Sequence, residues 1–336
     1  MNESLHNQLE TPVLFLIFTR AETALRVFER IREQRPKYLY VGADGPREDV
    51  PADVEKCRRT REILNRIDWD CEVKTLFREK NLGCRNNMAQ TISWFFDQVE
   101  EGIILEEDCL PDPNFFRYCE ELLEYYRNDQ RIMHIGGVNF QFGIPRGKGS
   151  YYYSQLPHIW GWASWRRAWK YYDVNIPSYR EVIEENRRKF FRHAEMNSHF
   201  GPIFRSVYAE NFDTWDAQWT YTVNAQHGLA VLPNVNLISN IGFAPDALHT
   251  KNVGSPYDNV PAGLMEFPLV HPSEMAVDEE ADLLTVLQEV ASRSIPRWAA
   301  RSLLKEWLPE FMNSRRILLT AREQMRKRKQ ADFQER

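Results

Sequence analysis

The sequence predicts an α/β fold built on a mostly parallel sheet flanked by helices. Three observations carry this. Short apolar runs alternate with segments of helical period through the first 140 residues. Most of these runs stop at turn-forming or charged residues, as strand ends in such sheets do. The composition, 43% hydrophobic and 13% aromatic, is ample for a packed core and excludes global disorder.

The elements follow in order. Val13 to Phe18 is a continuous apolar run short enough for a buried strand. Residues 23–34 place Ala24, Leu25, Val27, Phe28 and Ile31 at helical spacing. A second strand, 38–41, stops at Gly42-Ala43-Asp44-Gly45-Pro46. Residues 53–67 read as a charged surface helix and 71–77 as a third strand. A third helix, 86–99, turns Met88, Ile92, Phe95, Phe96 and Val99 inward. The fully apolar strand 103–105 runs directly into Glu106-Glu107-Asp108. A fourth helix spans 114–126, and a fifth strand, 132–135, ends in Gly136-Gly137.

The next stretch differs. Residues 151–172 hold four of the ten tryptophans and five tyrosines. Helical patterns follow at 180–194, 203–212 and 215–227, then short strands at 230–232 and 235–238 and a Gly/Pro/Asn-rich loop over 240–261. From about residue 273 the pattern is helical, broken at Pro296 and Pro309.

Several function classes are excluded or disfavoured. With 43 Lys/Arg against 48 Asp/Glu the net charge is −5, a poor match to a general nucleic-acid binder. The longest apolar run has six residues, against the roughly 20 of a membrane-spanning helix, and the polar N-terminus is no secretory signal. The five cysteines, Cys57, Cys71, Cys84, Cys109 and Cys119, are odd in number and form no CxxC, so free thiols in a cytoplasmic protein are expected rather than disulfides or a zinc site. The charge is uneven. Residues 293–336 carry 12 Lys/Arg and 5 Asp/Glu, or +7, which leaves −12 for the rest.

In a parallel sheet, ligands bind beyond the carboxyl ends of the strands. The residues there are Thr19 and Arg20, Asp44 and Gly45, Arg78 to Asn81, and Glu106 to Asp108. Carboxylates at a strand mouth suit a hard divalent cation that bridges a diphosphate. Acids also gather at helix N-termini, and Asp112 between two prolines fits that simpler role, whereas Glu106 and Glu107 lie too far upstream for it.

The segments GIILEEDCLPDPNFFRYCEELLEYY (102–126), HIWGWASWRRAWKYYD (158–173), FDTWDAQWT (212–220) and LISNIGFAPDALHT (237–250), with PVLFLIFTR (12–20) and YVGADGPR (40–47), resemble the nucleotide-sugar glycosyltransferases of the GT-A, Rossmann-like fold. The likeness is to bacterial family-2-like members and to the Golgi N-acetylglucosaminyltransferase that initiates complex N-glycan branches, over roughly residues 11–252.

The resemblance implies a division into a flexible N-terminus (1–10), a catalytic domain (11–260) and a basic, helical C-terminal extension (261–336). Within the catalytic domain, 11–140 is the nucleotide-binding half and 141–260 the acceptor and donor-sugar half. It implies that Asp108 binds Mn²⁺ or Mg²⁺, that Glu106 touches the donor sugar and that Glu107, one methylene longer than the usual Asp, faces the ribose. Thr19 and Arg20 would line the nucleotide, and Asp44 would accept a pyrimidine N–H, which favours UDP or dTDP over CDP. Asn81 and Arg85 are placed at the nucleotide or on the surface. Trp160, Gly161 and Trp162 match a loop set against the donor sugar, while Trp165 and Trp169 are expected in packing.

Asp216 matches the general base of inverting members, with Asp213 as the alternative base or a helix N-cap. His249 matches a late metal or diphosphate ligand, with Asp246 a second candidate and Asn240 a donor or acceptor contact. The expected reaction transfers a sugar, with inversion, from a nucleoside-diphosphate donor to a glycan or lipid-linked hydroxyl acceptor, in cell-surface glycan or polysaccharide synthesis.

Two other classes compete with this one. A sugar-nucleotide-forming nucleotidyltransferase usually has a glycine-rich loop after the first strand, and Thr19-Arg20-Ala21-Glu22 has none. A non-catalytic carbohydrate-binding protein has no use for Asp44, Asp108 and Asp216 together. The basic tail, with Arg297, Arg301 and Lys305 beside Trp298 and Trp307, suits either peripheral contact with an anionic inner membrane surface or docking on the acidic domain.

Overall fold

The apolar runs become the strands of one large sheet. The structure is a computed structural model that describes residues 8–186, 189–243 and 257–294. Strand β1 (Val13–Ile17) is buried at every position. Helix α1 (Ala21–Gln34) covers it with Ala24, Val27, Phe28 and Ile31. Strand β2 (Tyr38–Ala43) leads to α2 (Ala52–Arg61), which continues as a 3₁₀ turn, Glu62–Arg66. Strand β3 (Glu72–Phe77) precedes α3 (Gly83–Phe96), and β4 (Glu101–Glu106) follows.

The chain then makes a short strand, β5 (Cys109–Pro111), and enters α4 (Pro113–Tyr125). Asp112 caps this helix by accepting the Asn114 N–H at 2.9 Å, and Pro113 occupies the first turn, where no N–H is needed. Strands β6 (Ile132–Gly136), β7 (Tyr151–Ser154) and β8 (Trp162–Trp165), helices α5 (Arg166–Trp169), α6 (Ala194–Tyr208) and α7 (Asp216–Ala225), strands β9 (Leu229–Pro233) and β10 (Ile238–Asn240), and helix α8 (Glu279–Ser294) complete the order.

The main sheet has eight strands in the order β3-β2-β1-β4-β8-β6-β9-β7. The first four pair in parallel. β8 is inserted antiparallel between β4 and β6, β9 pairs parallel to β6, and β7 closes the edge antiparallel. The expected α/β, mostly parallel, Rossmann-like GT-A class is therefore observed. One core lies on the α1 and α4 side of the sheet, and a second, rich in tryptophan, lies under α3 and α7.

Several boundaries differ from the sequence expectation. The helix read at 203–212 lies at Ala194–Tyr208, with Pro202 inside it, and the helix read at 180–194 is a single π-helical turn, Arg180–Glu185. The strand read at 235–238 begins only at Ile238, and the Asn236 side-chain amide just before it donates to the carbonyls of Ile238 and Val260. Met265 and Leu269, beyond the boundary drawn at 260, belong to the same core as β1. Of the expected helical extension, α8 is described, and residues 295–336, with the basic run, lie outside the described residues. Among the described residues no helix is long and apolar enough to cross a membrane. All five cysteines are free.

Candidate active site

The acids that follow β4 stand at the carboxyl mouth of the parallel strands. β5 pairs antiparallel with β10, with Asn240 opposite Cys109, so the chain beyond β10 passes directly over Asp108. The Ile241 N–H donates to the Asp108 carbonyl at 2.9 Å. Gly242 roofs the carboxylate so closely that a Cβ there would stand 2.2 Å from Asp108 Oδ2 and 2.7 Å from Arg20 Nη1. Only glycine fits such an approach.

Arg20 spans two of the acids. Its Nε donates to Glu107 Oε1 and its Nη2 to Asp108 Oδ2, both at 2.8 Å. The other Glu107 oxygen accepts the Phe18 N–H at 2.6 Å. Burial works against the guanidinium charge, but the pull of Asp108 and Glu107 overcomes it, so its pKa is raised. Burial raises the Glu107 carboxyl, and Arg20 opposes that rise. Thr19 is half-buried alongside.

Glu106 is the odd member. The residue is half-buried, yet its Oε1 is sealed from solvent and has no hydrogen-bond partner. Its carboxyl is pushed well above the usual range, first by burial and then by the negative charges of Asp108 and Asp216. Asp216, the first residue of α7, is therefore brought into the same electrostatic cluster from a distant part of the chain. Its Oδ1 accepts the Thr214 hydroxyl.

Asp44 and Asn81 build a neighbouring loop. The nearly buried Asp44 accepts from the N–H groups of Gly45 (2.8 Å) and Leu82 (2.9 Å) and from Asn81 Nδ2 (3.0 Å). Asn81 also donates to the Gly45 carbonyl, so the end of β2 is tied to the start of α3. Burial raises the Asp44 carboxyl despite these bonds. Arg85 reaches the Val174 carbonyl (3.1 Å) and Asn175 Oδ1 (2.8 Å), away from the acids. Asp213 accepts the Arg85 backbone N–H at 3.1 Å and so caps α3, not α7.

The WGW segment divides. Trp160 is half-buried and makes edge contacts with Phe140 and with Phe243, the residue after the Gly242 roof. Gly161 has φ +63° and a Cβ there would collide with Ile238 at 2.4 Å. Trp162 corrects the expectation of a sugar contact. It sits on β8 in the middle of the sheet, is 0% exposed, and stacks with His134 and Trp215. Trp165 and Trp169 are buried, as expected of packing residues. Asn240 is also buried, and its Oδ1 accepts the Gly242 N–H, a bond that shapes the roof. His249 and Asp246 lie outside the described residues.

A divalent cation makes specific demands on these residues. Among the described residues no three His, Cys, Asp or Glu side chains are grouped to hold one. Mg²⁺-like ions, however, are commonly held by one or two carboxylates, with substrate phosphates completing the shell. The unpartnered Glu106 Oε1 beside Asp108 meets that demand, since a buried carboxylate oxygen without a partner is costly and a cation relieves it.

Nothing in the sequence signals the Thr214 bond to Asp216, and Asp213 reads there as a helix cap without any sign that the helix is α3. Gly242 left a weak signal, as the glycine of a loop that follows a short strand.

No protein-family model matches the chain. No curated protein matches it either. Among solved structures it is similar to apo UDP-glucose pyrophosphorylase (9% identity, 68% of this chain and 93% of that one, TM-score 0.35) and to the same enzyme complexed with UDP-glucose (9%, 68% and 93%, TM-score 0.36). It is also similar to mouse xyloside xylosyltransferase 1 in its apo form (13% identity, 64% of this chain and 82% of that one, TM-score 0.33). All three scores are low, and the fold class rests on the sheet order.

Proposed function

We propose that the protein is a metal-dependent, inverting glycosyltransferase that moves a sugar from a nucleoside diphosphate, UDP or dTDP, to a hydroxyl of a glycan or lipid-linked acceptor. The observation that carries this reading is the convergence of Glu106, Asp108 and Asp216 in one cluster beside Arg20. A strand-end acid group answers a diphosphate and its counter-ion. A separate acid at a helix start answers an acceptor hydroxyl.

Asp108 and Glu106 would hold Mn²⁺ or Mg²⁺, which when bound neutralises charge on the departing diphosphate. Arg20 and Thr19 line the nucleotide, with Asp44 and Asn81 shaping the wall at the end of β2. Asp216 takes the proton from the acceptor oxygen as it attacks the anomeric carbon. The Thr214 hydroxyl holds the Asp216 carboxylate in place for this. Trp160, with Phe243 and Phe140, offers an aromatic wall suited to the C–H face of a sugar. Work at the cytoplasmic face of a membrane, through the basic tail, completes the proposal.

The test is release of nucleoside diphosphate from a panel of sugar nucleotides, with and without EDTA. Metal-dependent turnover of one donor is the expected result. Pyrophosphate release from a sugar 1-phosphate and a nucleoside triphosphate would overturn it in favour of a nucleotidyltransferase.

A further inference from the structure

A cleft of about 510 Å³ opens between α2 and the carboxyl end of β3, walled by Cys57, Arg58, Arg61, Glu62, Arg78 and Glu79. It is separate from the acid cluster, for neither Glu106, Asp108 nor Asp216 lines it. Its volume falls in the range of small-molecule sites.

Two of its arginines are fixed by neutral groups. Arg61 Nη2 donates to the carbonyls of Asp44 (3.0 Å) and Arg78 (2.7 Å), and its guanidinium lies 5.0 Å from the Phe77 ring centre. Arg78 Nη2 donates to Gln90 Oε1 at 3.1 Å. The Nε of each is buried and has no acceptor. Arg58 is different, being paired with Glu55 and Glu62. The wall therefore holds two guanidinium groups that form no ion pair with a carboxylate among the described residues, although the Arg78 charge is felt by Asp44.

Two guanidinium groups that line one cleft with no ion pair between them and a carboxylate favour an anionic ligand with several oxygens. Arginine forks match phosphoryl oxygens in geometry and charge. We propose that this cleft is a second anion site that takes a phosphoryl group, free or carried on a small molecule. Glu62 and Glu79 at the rim moderate its affinity and disfavour stray anions.

The experiment titrates the full chain at low salt with inorganic phosphate, ribose 5-phosphate and ribose, followed by calorimetry. Saturable binding of either phosphate compound and none of ribose is expected. Tighter binding of ribose 5-phosphate identifies a carried phosphoryl group, and equal binding a free one. Arg78→Gln should weaken binding tenfold or more. Glu79→Gln should tighten it about two- to fivefold, a gain that misfolding cannot produce. Arg20→Lys, at the acid cluster, should leave it within twofold. No saturable binding to the wild-type chain overturns the proposal. So does loss of binding in Arg20→Lys with retention in Arg78→Gln.

Discussion

Arg20 Nη2 lies 2.8 Å from Asp108 Oδ2 while its Nε lies 2.8 Å from Glu107 Oε1, so one guanidinium bridges two consecutive acids at the mouth of the sheet. The bridge sets the electrostatics of the region, because both carboxylates are nearly buried and neither could stay ionised there at small cost without it. Arg20→Gln should lower unfolding stability by about 2–4 kcal/mol in urea denaturation, since it strands two buried acids. Arg20→Lys should recover part of that loss but not the two-pronged geometry. A stability loss under about 0.5 kcal/mol for Arg20→Gln, within the range of ordinary surface changes, would mean that the bridge does not hold this site together.

Gly242 gives a second handle on the same bridge. A methyl group there would press against both Asp108 Oδ2 and Arg20 Nη1. Gly242→Ala is expected to push Arg20 off Asp108 and weaken nucleoside-diphosphate binding at least tenfold, read by calorimetry. Global stability should fall by only about 1–3 kcal/mol, the usual cost of overpacking. Unchanged binding would mean that the bridge and the nucleotide are unrelated.

The parallel half of the sheet was legible because its strands are continuous apolar runs and its helices keep one buried face, as in β1 and α1. The strands β7 and β8 were hidden, since both are buried at every position and their Tyr and Trp residues show no alternation. Pro202 masked the continuity of α6. At the candidate site, the strand ends read from the sequence bring Arg20, Glu107 and Asp108 into contact. What stayed illegible was which partner each side chain chooses. Asp213 looks like a local cap yet serves α3, and Trp162 sits in a motif that suggests a ligand yet fills a core. Both outcomes depend on contacts between residues remote in sequence.

The two acids before and at the start of α7 should separate cleanly. The charge of Asp216 acts on Glu106, whereas Asp213 caps α3 through Arg85 N. Asp216→Asn should reduce turnover at least 100-fold, the scale of general-base loss, with donor affinity within about threefold. Asp213→Asn should keep turnover within about threefold and cost roughly 1 kcal/mol of stability as a weakened cap. Steady-state kinetics on both variants checks the pair, and a reversed order would make Asp213 the base.

The join between α8 and the sheet should respond to pH near neutrality. Asp282 on α8 accepts Ser154 Oγ at 2.5 Å and the Gln155 N–H at 2.9 Å, at the end of β7. Burial raises its carboxyl from 3.8 to about 7 despite those bonds. The folded chain thus holds a proton that the unfolded chain gives up between pH 4 and 7, so this group's stabilisation is present at low pH and is lost as pH rises to about 7. The loss amounts to about 4 kcal/mol at most, since each tenfold difference in proton affinity between the folded and unfolded chain is worth about 1.4 kcal/mol. Above pH 7 the group contributes no further slope. Asp282→Asn removes the ionisation, and the variant should match or exceed the wild type at pH 8 while losing its advantage at pH 5. Denaturant unfolding of both chains at the two pH values measures this. If wild type and variant show the same pH dependence, Asp282 is not the titrating link that fastens α8 to β7.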